Sequence, residues 1–433
     1  MSCMFKSYDQ DQLFLLPPSL REWLPGNHLA HFISDVVDEL DIQEIEKVYS
    51  NTDRGQPPYH PVMMVKLLLY AYCVGTPSSR KIEQKTYEDI AFRFLAASHH
   101  PDHDTIATFR KTHLTAIGGL FLEILVLCRE AGLVKAGHIS LDGTKIKANA
   151  SKHKAMSYAR MGEKEKQLKH EIDELLKKAE RTDAEEDKRY VNKEYNIPEE
   201  LAFRETRLKK IREAKATLEK RVREEKDKDT PSPKDQINFT DSESRIMKDS
   251  ATKEFIQGYN AQCAVDTASQ IIVAADVVQE TNDKKQIEPM TDHIQHNLKK
   301  SPKHLLADAG YFSEDNISFL HRQDIGAFIP PDGIRHTEKL PAAPRGRIPK
   351  NLSVKDRIKR LLMTKKGKKL YGKRKETVEP VFGQIKEIRG FRRFLLRGLE
   401  KVKAEWSIIC MTHNLLKLYR WKAAKTGMCT SPR

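Results

Sequence analysis

The sequence lacks three features that would place the chain in other classes of protein. It has no run of about 18 apolar residues, so no membrane span and no membrane partner are predicted. Its first twenty residues hold only a short apolar run after an acidic stretch, which does not resemble a secretory signal, so we expect a soluble, cytoplasmic protein. Its cysteines form no C-x-x-C pair, which argues against a zinc site or a disulfide framework. We expect buried free thiols instead at the six positions, Cys3, Cys73, Cys128, Cys263, Cys410 and Cys429.

Acidic charge is scarce at one end of the chain. The formal net charge is +15 and the isoelectric point is about 9.3. Residues 351–433 hold 23 lysines and arginines against 6 aspartates and glutamates, a net of +17, so the other 350 residues sum to about −2. Concentrated positive charge attracts polyanions through counterion release, and nucleic acid is the first expected partner. A merely basic soluble surface and a membrane surface are the alternatives.

Apolar residues in the first part of the chain recur at helical spacing. A length of 433 residues is enough for two or three domains. Residues 1–132 contain several such stretches, among them 29–40, the run that Pro61 opens, and 105–127. We predict a helical N-terminal domain over residues 1–132. Short helices with tight turns are compatible with a DNA-binding helix-turn-helix and equally with plain core packing.

A long charged segment interrupts the remainder, residues 133–433. Residues 151–235 mix both signs of charge, and their apolar positions follow helical spacing in two runs that Pro198 separates. The pattern predicts an antiparallel pair of long helices inserted into the second domain. An arm that contacts DNA or forms a dimer, and a solvated spacer, remain equally open.

The rest of the second domain alternates between strand and helix patterns. Residues 137–148 alternate as a strand that contains Asp142, residues 258–278 read as a hairpin, and a short strand ends at Asp308. Helical patterns follow the hairpin and Asp308, another strand pattern includes residues 325–331, and the C-terminal part is helical. This order predicts an α/β fold, a mixed sheet flanked by helices.

Three acids stand in surroundings that are otherwise apolar or basic. Asp142 lies in a strand pattern and directly precedes Gly143. Asp308 ends a strand pattern and lies two residues before Gly310. Glu379 lies in a helical pattern near the C-terminus. Buried acids are costly unless they are paired or bind metal, and carboxylates suit hard cations such as Mg²⁺ or Mn²⁺. Three carboxylates could hold the two ions that cleave a phosphodiester. Composition alone supports this triad weakly, because a chain of this size has many acids.

Ordered motifs along most of the chain resemble the DDE transposases of bacterial insertion sequences. YHPVMMVKLLLYAYCVG and PDHDTIATFRK resemble the InsH-type N-terminal domain of these proteins. ISLDGTKIKANASK, LLADAGYFS and YGKRKETVEPVFGQIK resemble the segments that carry the two aspartates and the glutamate. The resemblance implies an RNase H-like core and a catalytic triad of Asp142, Asp308 and Glu379. It also implies two divalent ions and a homodimer on DNA ends.

The glutamate segment departs from the family's spacing at one point. The family often has Tyr, two residues, Arg, three residues, Glu, six residues, Lys. Tyr371, Arg374, Glu379 and Lys386 match it, except that four residues separate Arg374 from Glu379. The departure puts the roles of the first two in doubt and leaves Glu376 as a rival acid. We prefer Glu379, because the six-residue gap to Lys386 is kept.

The same segment makes two structural predictions. Val378, Phe382 and Ile385 are spaced to form an apolar stripe toward the core. Proline is tolerated only in the first turn of a helix, so Pro380 places Glu379 at a helix start.

Tyr371 and the basic residues of this region are predicted to contact DNA. This set comprises Tyr371, Arg374, Lys386, Arg389, Arg392 and Arg393. Contacts of this kind position the backbone more than they read sequence, and a solvated surface cation is the alternative for each residue. No cysteine lies between Cys263 and Cys410, so no structural zinc is expected there.

We therefore expect a transposase that cleaves and joins DNA at its element's terminal inverted repeats and at target DNA, in a nucleoid-associated setting. A catalytically silent DNA-binding protein and an RNase H-like nuclease without strand transfer are the alternatives.

Overall fold

The computed structural model describes residues 19–49, 57–186, 197–226, 230–249, 252–332, 349 and 352–425. Cys3, Cys429 and all but the last residue of the proline-containing loop 341–349 lie outside these residues.

Within the described residues, the N-terminal part is helical up to Glu130, as predicted. Its helices are α1 (Leu20–Trp23), α2 (Leu29–Glu39), α3 (Gln43–Glu46), α4 (Pro61–Cys73), α5 (Ser79–Glu88), α6 (Ile90–Leu95), α7 (His103–Thr112) and α8 (Leu114–Glu130). Polar side chains cap the N-termini of several of these helices. Asp89 accepts the Ala91 backbone N–H at 2.9 Å at the start of α6, and Asp102 accepts that of Thr105 at 2.8 Å at the start of α7.

A mixed sheet forms the centre of the second part of the chain. Its strands are β1 (His138–Lys147), β4 (Arg245–Lys248), β5 (Phe255–Asp266), β6 (Ile272–Val278), β7 (His304–Leu306) and β8 (Gly326–Phe328). They run in the order β4-β5-β1-β7-β8, and β6 also pairs with β5. β1 is antiparallel to β5 and parallel to β7, which is in turn parallel to β8. The predicted hairpin is β5–β6, and the predicted strand of Asp142 is β1.

Five helices flank this sheet and complete the predicted α/β fold. They are α11 (Ile287–Leu298), α12 (Glu314–Arg322), α13 (Val354–Met363), α14 (Lys365–Gly383) and α15 (Leu399–Lys425). A π-helical turn, Gln384–Ile388, continues α14.

The buried helix α15 joins the sheet to the N-terminal helices. The Trp406 indole N–H donates to the Gln262 carbonyl on β5 at 3.0 Å, and the Asn414 side chain bonds both backbone groups of Ile272. On its other side, the Ser407 hydroxyl donates to the Gly118 carbonyl of α8 at 2.8 Å. One continuous apolar core therefore includes both parts of the chain.

The charged insertion forms the predicted antiparallel pair of helices. α9 (Tyr158–Glu186) and α10 (Ile197–Lys226) lie in the chain between the two strands of a small antiparallel sheet, β2 (Ala155–Ser157) and β3 (Gln236–Asn238). Glu171 pairs with Arg204 and Glu165 pairs with Arg212, which fixes the opposite directions of the two helices. Most of the apolar positions at helical spacing are buried in a separate small core, which contains Leu168, Ile172, Leu208, Ile211, Leu218 and Val222, whereas Leu176 is exposed.

Two composition-based expectations concern thiols and membrane spans. Cys73, Cys128, Cys263 and Cys410 are free and buried, as expected. Among the described residues, no single helix is long and apolar enough to cross a membrane. By length and composition alone, the pair α7 and α8, bent by 68°, passes that test jointly.

Candidate active site

The two predicted aspartates lie on neighbouring parallel strands. Asp142 is near the middle of β1, and Asp308 follows β7 by two residues. Ser140 pairs with Leu306, so the register carries the two acids to the same place on the sheet. Asp308 then caps the next turn, because its Oδ1 accepts the Gly310 N–H at 2.8 Å. The predicted pairing of these two acids in space is therefore present in the fold.

Burial sets the electrostatics of this pair. The pKa of Asp142 is raised to about 6, first by burial and further by the charge of Asp308, against the opposing effect of Arg374. The pKa of Asp308 is raised as well, mainly by burial. Two carboxylates that are costly to ionise side by side form a site at which added positive charge is favourable.

Arg374 is the cation that faces the pair. Its Nη1 donates to Asp142 Oδ2 at 2.8 Å, while the Gly143 N–H donates to Asp142 Oδ1 at 2.9 Å. The side chains of Arg374 and Asp142 are only 11% and 19% exposed. Arg374 was expected to contact DNA. Its guanidinium is instead mostly buried against a carboxylate, so it offers little surface for a DNA contact.

A third carboxylate, which the sequence did not single out, lies beside the two aspartates. Asp283 Oδ1 accepts from the side-chain amides of Asn260 at 2.6 Å and Gln262 at 2.7 Å. Lys145 Nζ is 3.7 Å from the same oxygen. The charge of Asp283 contributes to the raised pKa of Asp308. Its position on the loop after β6, beside the strands that carry the predicted acids, is the sequence signal that could have identified Asp283 as a site residue.

The motif glycines allow this close packing of polar groups. A Cβ at Gly143 would collide with the Gln262 amide and would lie 2.9 Å from Asp283 Oδ1. A Cβ at Gly310 would lie 3.0 Å from Asp308 Oδ1 and 3.7 Å from Asp283 Oδ2. Side chains at either position would therefore displace the carboxylates.

Glu379 is an exposed residue of α14, the helix that also carries Arg374. Among the described residues, no group of three or more His, Cys, Asp and Glu side chains is arranged to hold a metal ion. The structure thus unites Asp142 with Asp308 and leaves the Glu379 carboxylate open to solvent. The rival acid Glu376 is also exposed on this helix.

The predicted helix start at Glu379 is wrong. α14 begins at Lys365, where the Thr364 hydroxyl accepts the Gly367 N–H at 2.9 Å, so Pro380 lies near the C-terminal end. A proline there removes an interior hydrogen bond and strains the helix. A π-helical turn begins four residues later. The predicted apolar stripe is correct, since Val378 and Ile385 are fully buried and Phe382 packs against the core.

Arg389 is a structural residue and corrects a second prediction. Its side chain is buried and donates to Gln384 Oε1 at 3.1 Å, Thr412 Oγ1 at 2.7 Å and the Ile409 carbonyl at 3.1 Å. A guanidinium held inside the protein in this way cannot line a DNA surface. The spacing of basic residues alone could not distinguish it from its exposed neighbours.

We expect Arg389→Ala to lower the free energy of unfolding by about 3 kcal/mol, because it removes these bonds and leaves buried acceptors unpaired. Arg393→Ala, at an exposed position of the same segment, should change it by less than about 0.5 kcal/mol. Urea unfolding of both variants tests the assignment. Equal stability of the two would show that Arg389 does not support the core.

The other predicted DNA contacts have varied surroundings. Tyr371 is half-buried, and burial raises its pKa. Lys386 donates to Thr144 Oγ1 on β1 at 2.9 Å, and the exposed Arg392 pairs with Glu387. Arg393 is exposed where its segment joins the end of β1 through a bridge to Lys147.

Arg393 belongs to a cleft that we call the basic groove. Its exposed lysines and arginines come from the end of β1 and from two neighbouring segments, and the exposed His153 lies beside them: Lys147, Lys152, Lys154, Arg393 and Arg397. Among the lining residues that the structure describes, Glu254 is the one acidic residue, and the 64% exposed Phe255 lies at the wall of the groove. Hydrogen bonds between the two segments, such as Arg397 Nε to the Asn149 carbonyl at 2.9 Å, hold them together. β1 thus connects the groove to Asp142, five residues or roughly 16 Å away along the strand.

Two family models match the chain. One, described as a transposase domain (DUF772), matches residues 18–112, and the other, described as a transposase DDE domain, matches residues 230–415. The second contains Asp308 and Glu379, whereas Asp142 lies between the two matched segments. No curated protein and no solved structure matches the chain.

The mixed sheet with flanking helices and the matched DDE domain define an RNase H-like catalytic fold. With both matched segments in their expected order, the chain belongs to the insertion-sequence DDE transposases.

Proposed function

We propose that this transposase cleaves and joins DNA by transesterification, with Asp142, Asp308 and Glu379 holding two Mg²⁺ or Mn²⁺ ions. The observation that carries the proposal is the pair of mostly buried carboxylates on adjacent parallel strands, whose raised pKa values favour added positive charge. The oxygen-only donor set fits these hard cations. Glu379, exposed on α14, would supply the third carboxylate from the helix that already reaches Asp142 through Arg374.

The residues around the carboxylates have distinct tasks in this proposal. Two bound ions would supply activation of the attacking hydroxyl and stabilisation of the leaving oxygen. Arg374 and the Gly143 N–H each bond one oxygen of Asp142, which fixes the plane of that carboxylate. Each oxygen keeps a further lone pair for a cation. Asn260 and Gln262 hold Asp283 in the same way, so the acidic site is pre-organised before DNA binds.

The basic groove supports a path for the DNA backbone next to this site. Its cations would neutralise phosphates about five nucleotides from the cut, given about 3.4 Å per nucleotide along a strand. Arg392, Arg393 and Lys386 would extend the contacts toward the acids. The DNA in question would be the terminal inverted repeats and the target, in the nucleoid, bound by a homodimer that holds two ends.

One incubation separates this function from its alternatives. The protein is mixed with Mg²⁺, a target plasmid and a labelled duplex that carries the inverted repeat flanking its own reading frame. Joined products are expected. Nicked but unjoined products would favour a nuclease of the same fold, and a shifted but uncut duplex would favour a silent DNA-binding protein.

DNA binding should weaken steeply with salt, because it releases counterions from phosphates. Replacing Lys152 and Lys154 together with alanine should reduce the slope of log K against log salt by about 2, roughly one per lost phosphate contact. Lys300→Ala, at an exposed lysine that follows α11 and lies outside both the groove and the insertion, is the control and should leave the slope unchanged. Fluorescence anisotropy from 50 to 300 mM salt, on the order of the physiological range, measures it. If the groove variant has the same slope as the wild type, the groove does not contact the DNA backbone.

A further inference from the structure

Pro380 leaves one backbone acceptor of α14 without its helical partner. In an α-helix the N–H of residue 380 would donate to the carbonyl of residue 376, four positions earlier. Proline has no N–H, so this bond is missing from the turn that contains Glu379. An unpaired carbonyl and the proline ring together loosen a helix at that point.

A side chain from the sheet replaces the missing donor. Gln270 Nε2 donates to the Glu376 carbonyl at 2.9 Å. The orientation of the Gln270 amide follows from chemistry, since its Oε1 accepts from Lys417 Nζ at 2.5 Å and an ammonium can only donate. The amide nitrogen must therefore face the carbonyl that proline freed.

Gln270 is itself held firmly. It lies in the turn between β5 and β6 with a positive φ of 64°, and its N–H donates to the Asp266 carbonyl at 2.9 Å. Its own carbonyl bonds His413 Nε2 of α15 at 3.0 Å. The opposite nitrogen of His413 contacts Gln384 Oε1 at 3.0 Å, at the start of the π-helical turn. Gln270 thus links the sheet and α15 to α14 just before Pro380.

We propose that Gln270 is a positioning residue that fixes Glu379 relative to the two aspartates. It bonds the carbonyl three residues before Glu379, on a turn that has lost its own hydrogen bond, and it is anchored in the strand pair that contains β5, the neighbour of Asp142's strand. This inference rests on the proposed role of Glu379 as the third carboxylate. Its bond to α14 is made to a backbone carbonyl, so Gln270 acts through the helix and not on a carboxylate.

The test compares Gln270 variants in the presence and in the absence of Pro380. In the full-length protein, Gln270→Ala should lower kcat for cleavage about tenfold and raise the Mg²⁺ concentration for half-maximal cleavage, with KM for DNA unchanged within about twofold. Gln270→Glu, equal in size but without a donor, should behave like Gln270→Ala. In a Pro380→Ala background, the restored N–H bonds Glu376, and Gln270→Ala should then change kcat by less than about twofold.

Each outcome decides the matter. Equal losses in the two backgrounds would overturn the proposal, since the glutamine would then act elsewhere than at the proline gap. Rescue by Gln270→Glu would overturn it as well. Amide hydrogen exchange of the Glu379-containing turn reports the same coupling without cleavage. If amide exchange of this turn depends on Gln270 and Pro380 as expected but the protein never cleaves DNA, the proposed function is contradicted. The hydrogen bond from Gln270 to α14 then keeps its structural role.

Discussion

Asp142→Asn should lower metal-dependent DNA cleavage by about a thousandfold and leave DNA binding within about twofold. A lost metal ligand removes several kcal/mol of transition-state stabilisation, and each 1.36 kcal/mol is a factor of ten. Asparagine retains one oxygen, which can accept from Gly143 or from Arg374 but not from both, so one of the two hydrogen bonds of Asp142 is kept. The basic groove lies five residues away on β1 and is untouched.

Two measurements make this result specific. Single-turnover cleavage of the inverted-repeat duplex gives the rate, and anisotropy of the same duplex gives the affinity. Asp104→Asn, at an 89% exposed aspartate of α7, is the matched control and should cleave like the wild type. Near-normal cleavage by Asp142→Asn would refute the site. A joint loss of cleavage and binding would point to unfolding, which urea unfolding of the variant would reveal.

Local sequence patterns could predict those parts of the site that depend on a single strand or helix. Alternating apolar residues, Ile139 and Leu141, defined β1 and placed Asp142 on it, because both are buried in the sheet. The strand ending at Asp308 was equally local. Parallel pairing of their strands then brought the two acids together without any further information in either motif.

The errors came from contacts between residues far apart in the sequence. Pro380 was placed at a helix start because local rules forbid it elsewhere, yet Gln270, 110 residues earlier, donates the bond that the rule assumes is lost. Arg389 has the same local pattern as exposed cations, and only α15 shows it to be buried. Asp283 became visible as a site residue only when Asn260 and Gln262 were seen to hold it beside the aspartates.

Glu379→Gln should lower cleavage by about a thousandfold, whereas Glu376→Gln should change it by less than about twofold. The two glutamates are exposed neighbours on α14. They form a matched pair that differs in the direction in which each side chain points around the helix. Lys386 reaches Thr144 on β1. Glu379 keeps the six-residue gap to Lys386, which lies in the π-helical turn that continues α14.

The two rates, measured at saturating DNA and increasing Mn²⁺, decide which acid completes the site. A loss with Glu376→Gln alone would transfer the role to the rival acid. Unchanged cleavage in both variants would end the proposal that α14 supplies a ligand. It would direct attention to Asp283, which the fold already holds beside Asp142 and Asp308, and Asp283→Asn would then be the variant expected to lose cleavage. Binding of DNA should be preserved in all three, because none of these carboxylates lines the basic groove.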